Sequence, residues 1–328
     1  MTASIRIGIA GYGNLGRGVE ASLAKNPDMQ LVGVFTRREP NQVQTLNEET
    51  PVFTMADLAG FQDKIDVLIL CGGSKDDLPK QAPELAALFN TVDSFDTHAR
   101  IPQYFAAVNE AASAGKHTAM ISVGWDPGVF SINRLYGEAI LPDGETYTFW
   151  GKGVSQGHSD AIRRVAGVKH GIQYTIPAPD AIELVRRGTR PTLTTRQKHT
   201  RECFVVLADG ADAQTVETAI KTMPDYFDQY DTTVHFIDEA TLQRDHQGMP
   251  HGGFVIRSGS SSTKHNQVIE YGLKLENNPE FTASVLVAYA RATYRLNQQG
   301  QIGAKTVLDV APGLLSIKTA DQLRAELL

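Results

Sequence analysis

Apolar positions in the first third of the chain follow two alternating periods. Ile5, Ile7 and Ile9 alternate with other residues as on a strand, whereas Leu15, Val19 and Leu23 fall four apart, the spacing of one helix face. Met29 to Phe35 reads as a second strand. Asp66 to Cys71 is a near-continuous apolar run, as in a parallel strand covered on both faces. Thr91 to Asp93 and His117 to Ser122 are further strands, with helices predicted over Pro83 to Phe89 and from Pro102 to Gly115. Strand and helix alternate, which predicts an α/β fold with a Rossmann-type doubly wound parallel sheet.

From about Val129 that rhythm is lost. Thr146 to Trp150, Ile172 to Ile176, Glu202 to Leu207, Phe254 to Arg257 and Gln267 to Leu275 read as strands, and Phe281 to Asn297 as one helix. The glycine-rich stretches Gly151 to Asp160 and Gly248 to Gly253 read as connections. A second α+β domain on a mixed sheet follows. At 328 residues the chain is long for one core. The expected division is a first domain over 1–122, a second over 123–300, and a tail over 301–328 that returns to the first.

The turn between the first strand and helix is Gly11-Tyr12-Gly13-Asn14-Leu15-Gly16. In a dinucleotide site Gly11 makes the tight turn, Gly13 lets the backbone approach a pyrophosphate, and Gly16 lets helix and strand pack closely. The helix N-terminus then offers N–H groups and a partial positive charge to phosphate. The second strand ends in Thr36-Arg37-Arg38 with no acid before Glu39. An acid at that distance binds the ribose 2′-hydroxyl of NAD, while arginine accommodates the 2′-phosphate of NADP, so NADP is the expected cofactor. Gly72 to Ser74, Ser94 to Asp96 and Gly124 to Asp126 also follow predicted strands, and such ends share one edge of a parallel sheet. Asp96 and Asp126 are thus expected in one crevice. Plain alternatives are a solvated basic loop for the arginines and a helix cap or turn for either aspartate.

Charge narrows the partners. The 31 Lys+Arg against 37 Asp+Glu leave a net charge of −6, which argues against nucleic acid and anionic membrane as partners. No 18-residue apolar run occurs and no basic segment precedes an apolar signal core, so a cytoplasmic protein is expected. Cys71 and Cys203 lie far apart and are expected as buried free thiols. The nine histidines show no paired spacing, so no metal site is expected, and neither GxSxG nor a P-loop is present.

Several stretches together carry a resemblance. Gly11 to Arg17, Phe35-Thr36-Arg37-Arg38, Val123-Gly124-Trp125-Asp126-Pro127-Gly128, Phe149-Trp150-Gly151, Ser155-Gln156-Gly157-His158-Ser159-Asp160, Thr222 to Phe227 and Gly248-Met249-Pro250-His251-Gly252-Gly253 resemble the meso-diaminopimelate dehydrogenase family over essentially the whole chain. The resemblance implies a cytoplasmic homodimer of lysine biosynthesis. It would deaminate meso-2,6-diaminopimelate at its D-centre, with NADP, to L-2-amino-6-oxopimelate and ammonium. The first domain would bind the dinucleotide and the second would bind substrate and dimerise.

Carried over position by position, the resemblance implies cofactor residues Gly11, Gly13, Asn14, Leu15, Gly16, Thr36, Arg37, Arg38, Cys71, Gly72, Gly73, Ser74, Ser94, Phe95, Asp96, Val123, Gly124, Trp125, Asp126 and Pro127. The implied substrate residues are Asp96, Asp126, Trp150, Gln156, Gly157, Thr175, Arg201, His251 and Asn278, with Asp96 and Asp126 catalytic. Thr36 and Gly73 depart from residues found in some members, and Glu39 to Pro51 is longer, as expected of a surface loop. A substrate with two ammonium groups and two carboxylates needs opposed charges in its pocket, and a guanidinium fork suits a carboxylate. The rival readings are a related dehydrogenase of broad D-amino-acid specificity and a non-catalytic NADP-sensing protein.

Overall fold

The computed structural model describes residues 4–328, so the first three positions of the expected first domain lie outside the described residues. The chain begins β1 (Ile5–Ala10), α1 (Asn14–Leu23), β2 (Met29–Thr36), β3 (Val52–Thr54), β4 (Val67–Leu70), α2 (Leu78–Ala86), β5 (Thr91–Asp93), α3 (Ile101–Gly115), β6 (Thr118–Met120) and α4 (Val129–Ile140). It continues β7 (Gly144–Trp150), β8 (Gly153–Val154), α5 (Gln156–Arg163), β9 (Val168–Pro177), α6 (Pro179–Arg186), α7 (Thr195–Lys198), β10 (His199–Leu207) and α8 (Ala213–Lys221). It closes β11 (Asp231–Phe236), α9 (Glu239–Asp245), β12 (His251–Ser262), β13 (His265–Leu275), α10 (Asn278–Gln298), β14 (Gly303–Lys305) and α11 (Ala320–Leu327).

Seven strands form one sheet in the order β14-β6-β5-β4-β1-β2-β3, every neighbouring pair parallel. Alternation along β1 and β4 decides what covers it. Ile7, Ile9, Val67 and Ile69 join Val19 and Leu23 of α1 and Leu286, Val287 and Ala290 of α10 in one core. Ala10, Leu68 and Leu70 join Leu78 and Ala82 of α2 and Val108 and Ala112 of α3 in the other. Each fully buried aliphatic side chain of this kind contributes about 1.5–3 kcal/mol. The chain order from β1 runs outward to β2 and β3 on one side and to β4, β5 and β6 on the other, so the switch point lies at β1 and β4.

Two compact units result: one runs to Ile132 and resumes at Pro279, and the other spans Asn133–Asn278. This differs from the expected boundaries at 122 and 300. The difference is α10, whose Ala283, Leu286 and Tyr289 are buried in the core beside β1 and α1 and so belong to the first unit. Beyond it β14 pairs with β6, and buried Arg291 holds Asp28 at 2.6 Å and the Leu315 carbonyl at 2.8 Å, which keeps the tail on that unit.

The second unit contains two sheets. Its four-stranded sheet, β11-β10-β9-β8, is mixed, with β10 parallel to β11 and antiparallel to β9. Its three-stranded sheet, β13-β12-β7, is antiparallel. The stretch Gly151 to Asp160, expected as a connection, contains β8 and the start of α5. Ile162 is the reason: it is fully buried, and a Cβ on Gly171 of β9 would lie 2.5 Å from its Cγ2, so the helix packs directly on the strand. Among the described residues no helix is long and apolar enough to cross a membrane.

Helices α1 and α10 meet closely at Gly18. A Cβ there would meet the Ala283 Cβ at 2.9 Å and the Pro279 carbonyl at 3.3 Å. Gly18→Val is therefore expected to lower unfolding free energy by about 1–3 kcal/mol, as overpacking does. Denaturant unfolding measures it, and an unchanged midpoint would mean that α1 and α10 separate without cost.

Candidate active site

The glycine turn is built as a phosphate cradle. Gly11 has φ +95°, and a Cβ on it would lie 3.2 Å from the backbone of Cys71, so the turn sits tightly over the end of β4. A Cβ on Gly16 would lie 2.4 Å from the carbonyl of Gly11, the residue that follows β1, so the absence of a side chain lets α1 approach the strand end closely. Gly13 faces open space, with nothing within 4 Å of a built Cβ. It also caps α1 without a side chain, and the first turn carries no acid. These features fit a pyrophosphate at a helix N-terminus.

The remaining positions expected to hold the cofactor lie at or just beyond the ends of strands of the parallel sheet. After β2, the Arg38 N–H donates to the Thr36 hydroxyl at 3.1 Å, and the Arg38 guanidinium donates to the Tyr12 carbonyl of the glycine turn. Arg37 pairs with Asp77 at 2.7 and 3.1 Å, and Asp77 also accepts the Gly73 N–H at 2.9 Å. The Gly73 amide and then Arg37 hold the Asp77 carboxyl below its ordinary range. An exposed pair of this kind is worth about 0–1 kcal/mol, so a phosphate dianion can draw on Arg37 at little cost. Thr36 to Arg38 thus fits the 2′-phosphate of NADP. Cys71 contributes no thiolate, because burial pushes its thiol up to about 12.

Asp93 organises the next two strand ends, and the periodicity gave no sign of it. Its fully buried carboxylate accepts the Phe95 N–H at 2.9 Å, the Tyr104 hydroxyl at 2.7 Å and the Ser122 N–H at 3.2 Å. Its carbonyl accepts the Val123 N–H at 2.8 Å. Burial pushes this carboxyl up to about 6, against the pull of those hydrogen bonds. Ser94 to Asp96 and Val123 to Pro127 are thereby fixed side by side at the ends of β5 and β6. The Asp96 N–H reaches the Ser74 hydroxyl at 2.9 Å, joining the end of β4 as well. Phe95 stacks on Tyr104 with centroids 4.0 Å apart, and Trp125 meets Phe130 edge-on at 5.3 Å. These two side chains and that of Val123 are buried, so what these positions offer a ligand is backbone.

The other positions expected to bind substrate belong to the second unit. The antiparallel register sets Arg201 of β10 opposite Thr175 of β9, and the guanidinium donates to the Thr175 hydroxyl. Arg201 is 6% exposed, lies 3.8 Å from the Tyr230 ring centroid, and its buried Nε–H has no partner. Among the described residues no carboxylate pairs with it. Burial holds the guanidinium below its ordinary range, opposed by Tyr230.

Two imidazoles beside it are kept neutral. His199 accepts the Trp150 N–H at 2.8 Å and stacks on that indole, and burial followed by the Arg201 charge pushes it down to about 3. His158 pairs with the Ser155 hydroxyl at 2.8 Å between Tyr226 and Phe227, and the same causes push it down to about 4. His251 starts β12 against Gly153, where a built Cβ would come 2.4 Å from the imidazole, and Gly153 itself pairs with Thr175. Gln156 and Asn278 meet through Met249: the Gln156 amide reaches its sulfur at 3.8 Å and the Asn278 N–H its carbonyl at 2.9 Å. Gly157 faces open space in the first turn of α5. Tyr230 and His199 carry no local sequence signal and His158 only its place in a shared stretch, because their surroundings come from how α5, β9, β10 and β11 pack.

Residues 124–277 match the family model described as the diaminopimelic acid dehydrogenase C-terminal domain. The meso-diaminopimelate D-dehydrogenase of Ureibacillus thermosphaericus is 64% identical, over 99% of this chain and 100% of the relative. A solved structure of the Corynebacterium glutamicum DAP dehydrogenase in complex with DAP is 52% identical, with TM-score 0.92 over 100% of both chains. An engineered D-amino acid dehydrogenase bound to NADP+ is 51% identical, with TM-score 0.86 over 99% of this chain and 100% of that one.

The neutral state of His199 has a consequence for stability. The ring binds a proton near 6.5 when unfolded and near 3 when folded, so between these values the unfolded chain holds more protons. Its contribution is complete above pH 6.5 and is lost as pH falls, at up to about 1.4 kcal/mol per pH unit. His199→Gln keeps an acceptor for the Trp150 N–H and is expected to flatten the fall in denaturation midpoint between pH 6.5 and 4. A slope equal to wild type would mean that the folded ring is charged.

Proposed function

The chain belongs to the meso-diaminopimelate D-dehydrogenase family, and on that premise we propose that it catalyses the reversible, NADP-dependent oxidative deamination of meso-2,6-diaminopimelate. The D-configured carbon is oxidised, giving L-2-amino-6-oxopimelate, ammonium and NADPH. The observation that carries this reading is the buried Arg201, which has an unpartnered Nε–H and, among the described residues, no carboxylate paired with it. A guanidinium removed from water without a counter-ion is costly, and a substrate carboxylate supplies the missing charge and acceptor. A second carboxylate is what distinguishes diaminopimelate from simple D-amino acids, and a sensor that only bound NADP would have no use for this group.

The residues take separate roles. Arg201, Thr175, His251 and Asn278 would hold the distal carboxylate, and Trp150, Gln156 and Gly157 would line the substrate. Asp96 and Asp126 would hold the reacting ammonium. That group must lose a proton before its carbon is oxidised, because only a neutral amine can push electrons toward an iminium, and the two aspartates would relay the proton to solvent. Water then hydrolyses the iminium. The dinucleotide would be held by Gly11, Gly13 to Gly16, Thr36 to Arg38, Cys71 to Ser74, Ser94 to Asp96 and Val123 to Pro127. When bound, NADP accepts the hydride from the substrate carbon.

We extend the proposal to the setting. The product cyclises to tetrahydrodipicolinate, which suits a step of lysine biosynthesis in the cytoplasm. A homodimer is supported by the family resemblance, and the net charge of −6 supports a small-molecule partner over nucleic acid or anionic membrane.

NADP reduction assayed with meso-, LL- and DD-diaminopimelate and with simple D-amino acids tests the reading. Turnover is expected with the meso isomer and none with LL, which lacks a D-centre; equal rates with simple D-amino acids would overturn it in favour of the broad-specificity rival. Arg201→Lys keeps the charge and loses the fork, whereas Arg201→Met loses both. Catalytic efficiency is expected to fall about tenfold for Lys and about a hundredfold for Met, the range of lost charge-assisted hydrogen bonds. NADP affinity should hardly change. Wild-type efficiency in Arg201→Met, or a parallel collapse of NADP affinity, would remove Arg201 from the substrate site.

A further inference from the structure

Glu20, on the buried side of α1, is 5% exposed and carries a carboxylate that no basic side chain among the described residues pairs with. Each oxygen instead accepts two donors. Oε2 takes the Tyr12 hydroxyl and the Leu46 N–H at 3.0 Å, and Oε1 takes the Thr50 hydroxyl at 2.7 Å and the Asn47 N–H at 3.2 Å. Burial raises the cost of this charge, but the hydrogen bonds outweigh it and leave the carboxyl below its ordinary range. The same donors show what it holds. Tyr12 sits inside the glycine turn, its ring is buried, and its carbonyl accepts the Arg38 guanidinium. Leu46, Asn47 and Thr50 belong to the stretch Glu39 to Pro51, expected as a plain surface loop. Arg17 adds a fourth tie, donating to the Gln44 carbonyl at 3.0 Å.

We propose that Glu20 is a positioning residue for the cofactor 2′-phosphate: it clamps Tyr12 and the Leu46–Thr50 segment to α1, and so fixes the carbonyl that orients Arg38. The inference rests on the reading of Thr36 to Arg38 as the 2′-phosphate site. Glu20 touches no part of the cofactor in this account. It acts on the contact that distinguishes NADP from NAD, so its loss should be felt by one dinucleotide and not the other. The Leu46 N–H is shared between Oε2 and the Tyr12 hydroxyl, which lies 3.1 Å away. Glutamine would lose the charge and put an NH2 where two donors already converge; the Tyr12 or Thr50 hydroxyl can turn to accept it, so what the amide removes is the charge and one acceptor from the clamp.

The test is direct binding of NADPH and of NADH to the full-length Glu20→Gln, Tyr12→Phe and Arg38→Ala proteins, with thermal unfolding and steady-state kinetics alongside. In Glu20→Gln the NADPH dissociation constant is expected to rise about tenfold, the equivalent of one charge-assisted hydrogen bond, while that for NADH moves less than about twofold. The kcat at saturating NADP should stay near wild type as KM rises. Tyr12→Phe removes one of the four donors and leaves the others, so it should show the same selective loss in smaller measure and still fold if Glu20→Gln does not. If Glu20→Gln and Tyr12→Phe weaken both dinucleotides equally, the role is structural and the proposal falls. If Arg38→Ala leaves the ratio of NADPH to NADH affinity unchanged, the 2′-phosphate reading itself fails and takes the proposal with it. A changed ratio in Arg38→Ala beside wild-type ratios in the other two overturns the positioning role alone.

Discussion

Two-sided burial of the β1–β4 pair is the constraint on which the first unit depends. Successive residues of a strand face opposite ways, so Ile7 and Ile9 need cover on one side and Ala10, Leu68 and Leu70 on the other. The segment following β1 supplies α1, but one helix does not close that face. Closure comes from α10, near the other end of the sequence, and this makes the unit discontinuous. With both faces occupied by helices, ligand groups are left the edge where the strands end. There the glycine turn, Thr36 to Arg38, Cys71 to Ser74, Ser94 to Asp96 and Val123 to Pro127 accumulate.

Among the described residues, the buried charges named here divide into those saturated by partners within the chain and Arg201, which is not. Glu20 and Asp93 are carboxylates saturated by hydrogen bonds from segments distant in sequence, and each sets the course of strand-end loops. Arg291 is saturated by Asp28, Asn26 and the Leu315 carbonyl, and Arg257 by the Leu141 and Pro142 carbonyls and the Thr146 hydroxyl. Arg201 differs. It has Thr175, the face of Tyr230 and an N–H without a partner, an omission that costs about 1–3 kcal/mol unless a ligand supplies the acceptor. Keeping His158 and His199 neutral limits the repulsion around it, so the cation's field is directed at whatever anion enters.

The first strand, turn and helix were readable in the sequence because their signals are local. A period of two, a glycine motif and a period near four occupy consecutive residues, and each constrains the backbone by itself. The β1, α1, β2 and β4 elements and the long strands of the second unit follow from such patterns. The short edge strands β3 and β14 do not, since each exists only through its one partner strand, whereas β5 and β6, equally short, lie inside the sheet and are read from their apolar residues. The apolar stripe of α10 announced burial without saying against what, so its unit was decided by packing.

The candidate site divides the same way. The glycines, Arg37 and Arg38 announce themselves through a spacing to a strand, which backbone geometry makes meaningful, and the resemblance named Arg201, Thr175 and His251. What the sequence did not contain is their mutual arrangement. Thr175 faces Arg201 because of an antiparallel register, Tyr230 lies under the guanidinium because β11 follows on from it, and Asp93 and Glu20 gain their roles from amides dozens of residues away. Local sequence determines which backbone conformations are cheap and which faces are apolar. Which polar groups lose water together, and hence which charges are satisfied and which stay available to a ligand, is decided only when distant segments pack.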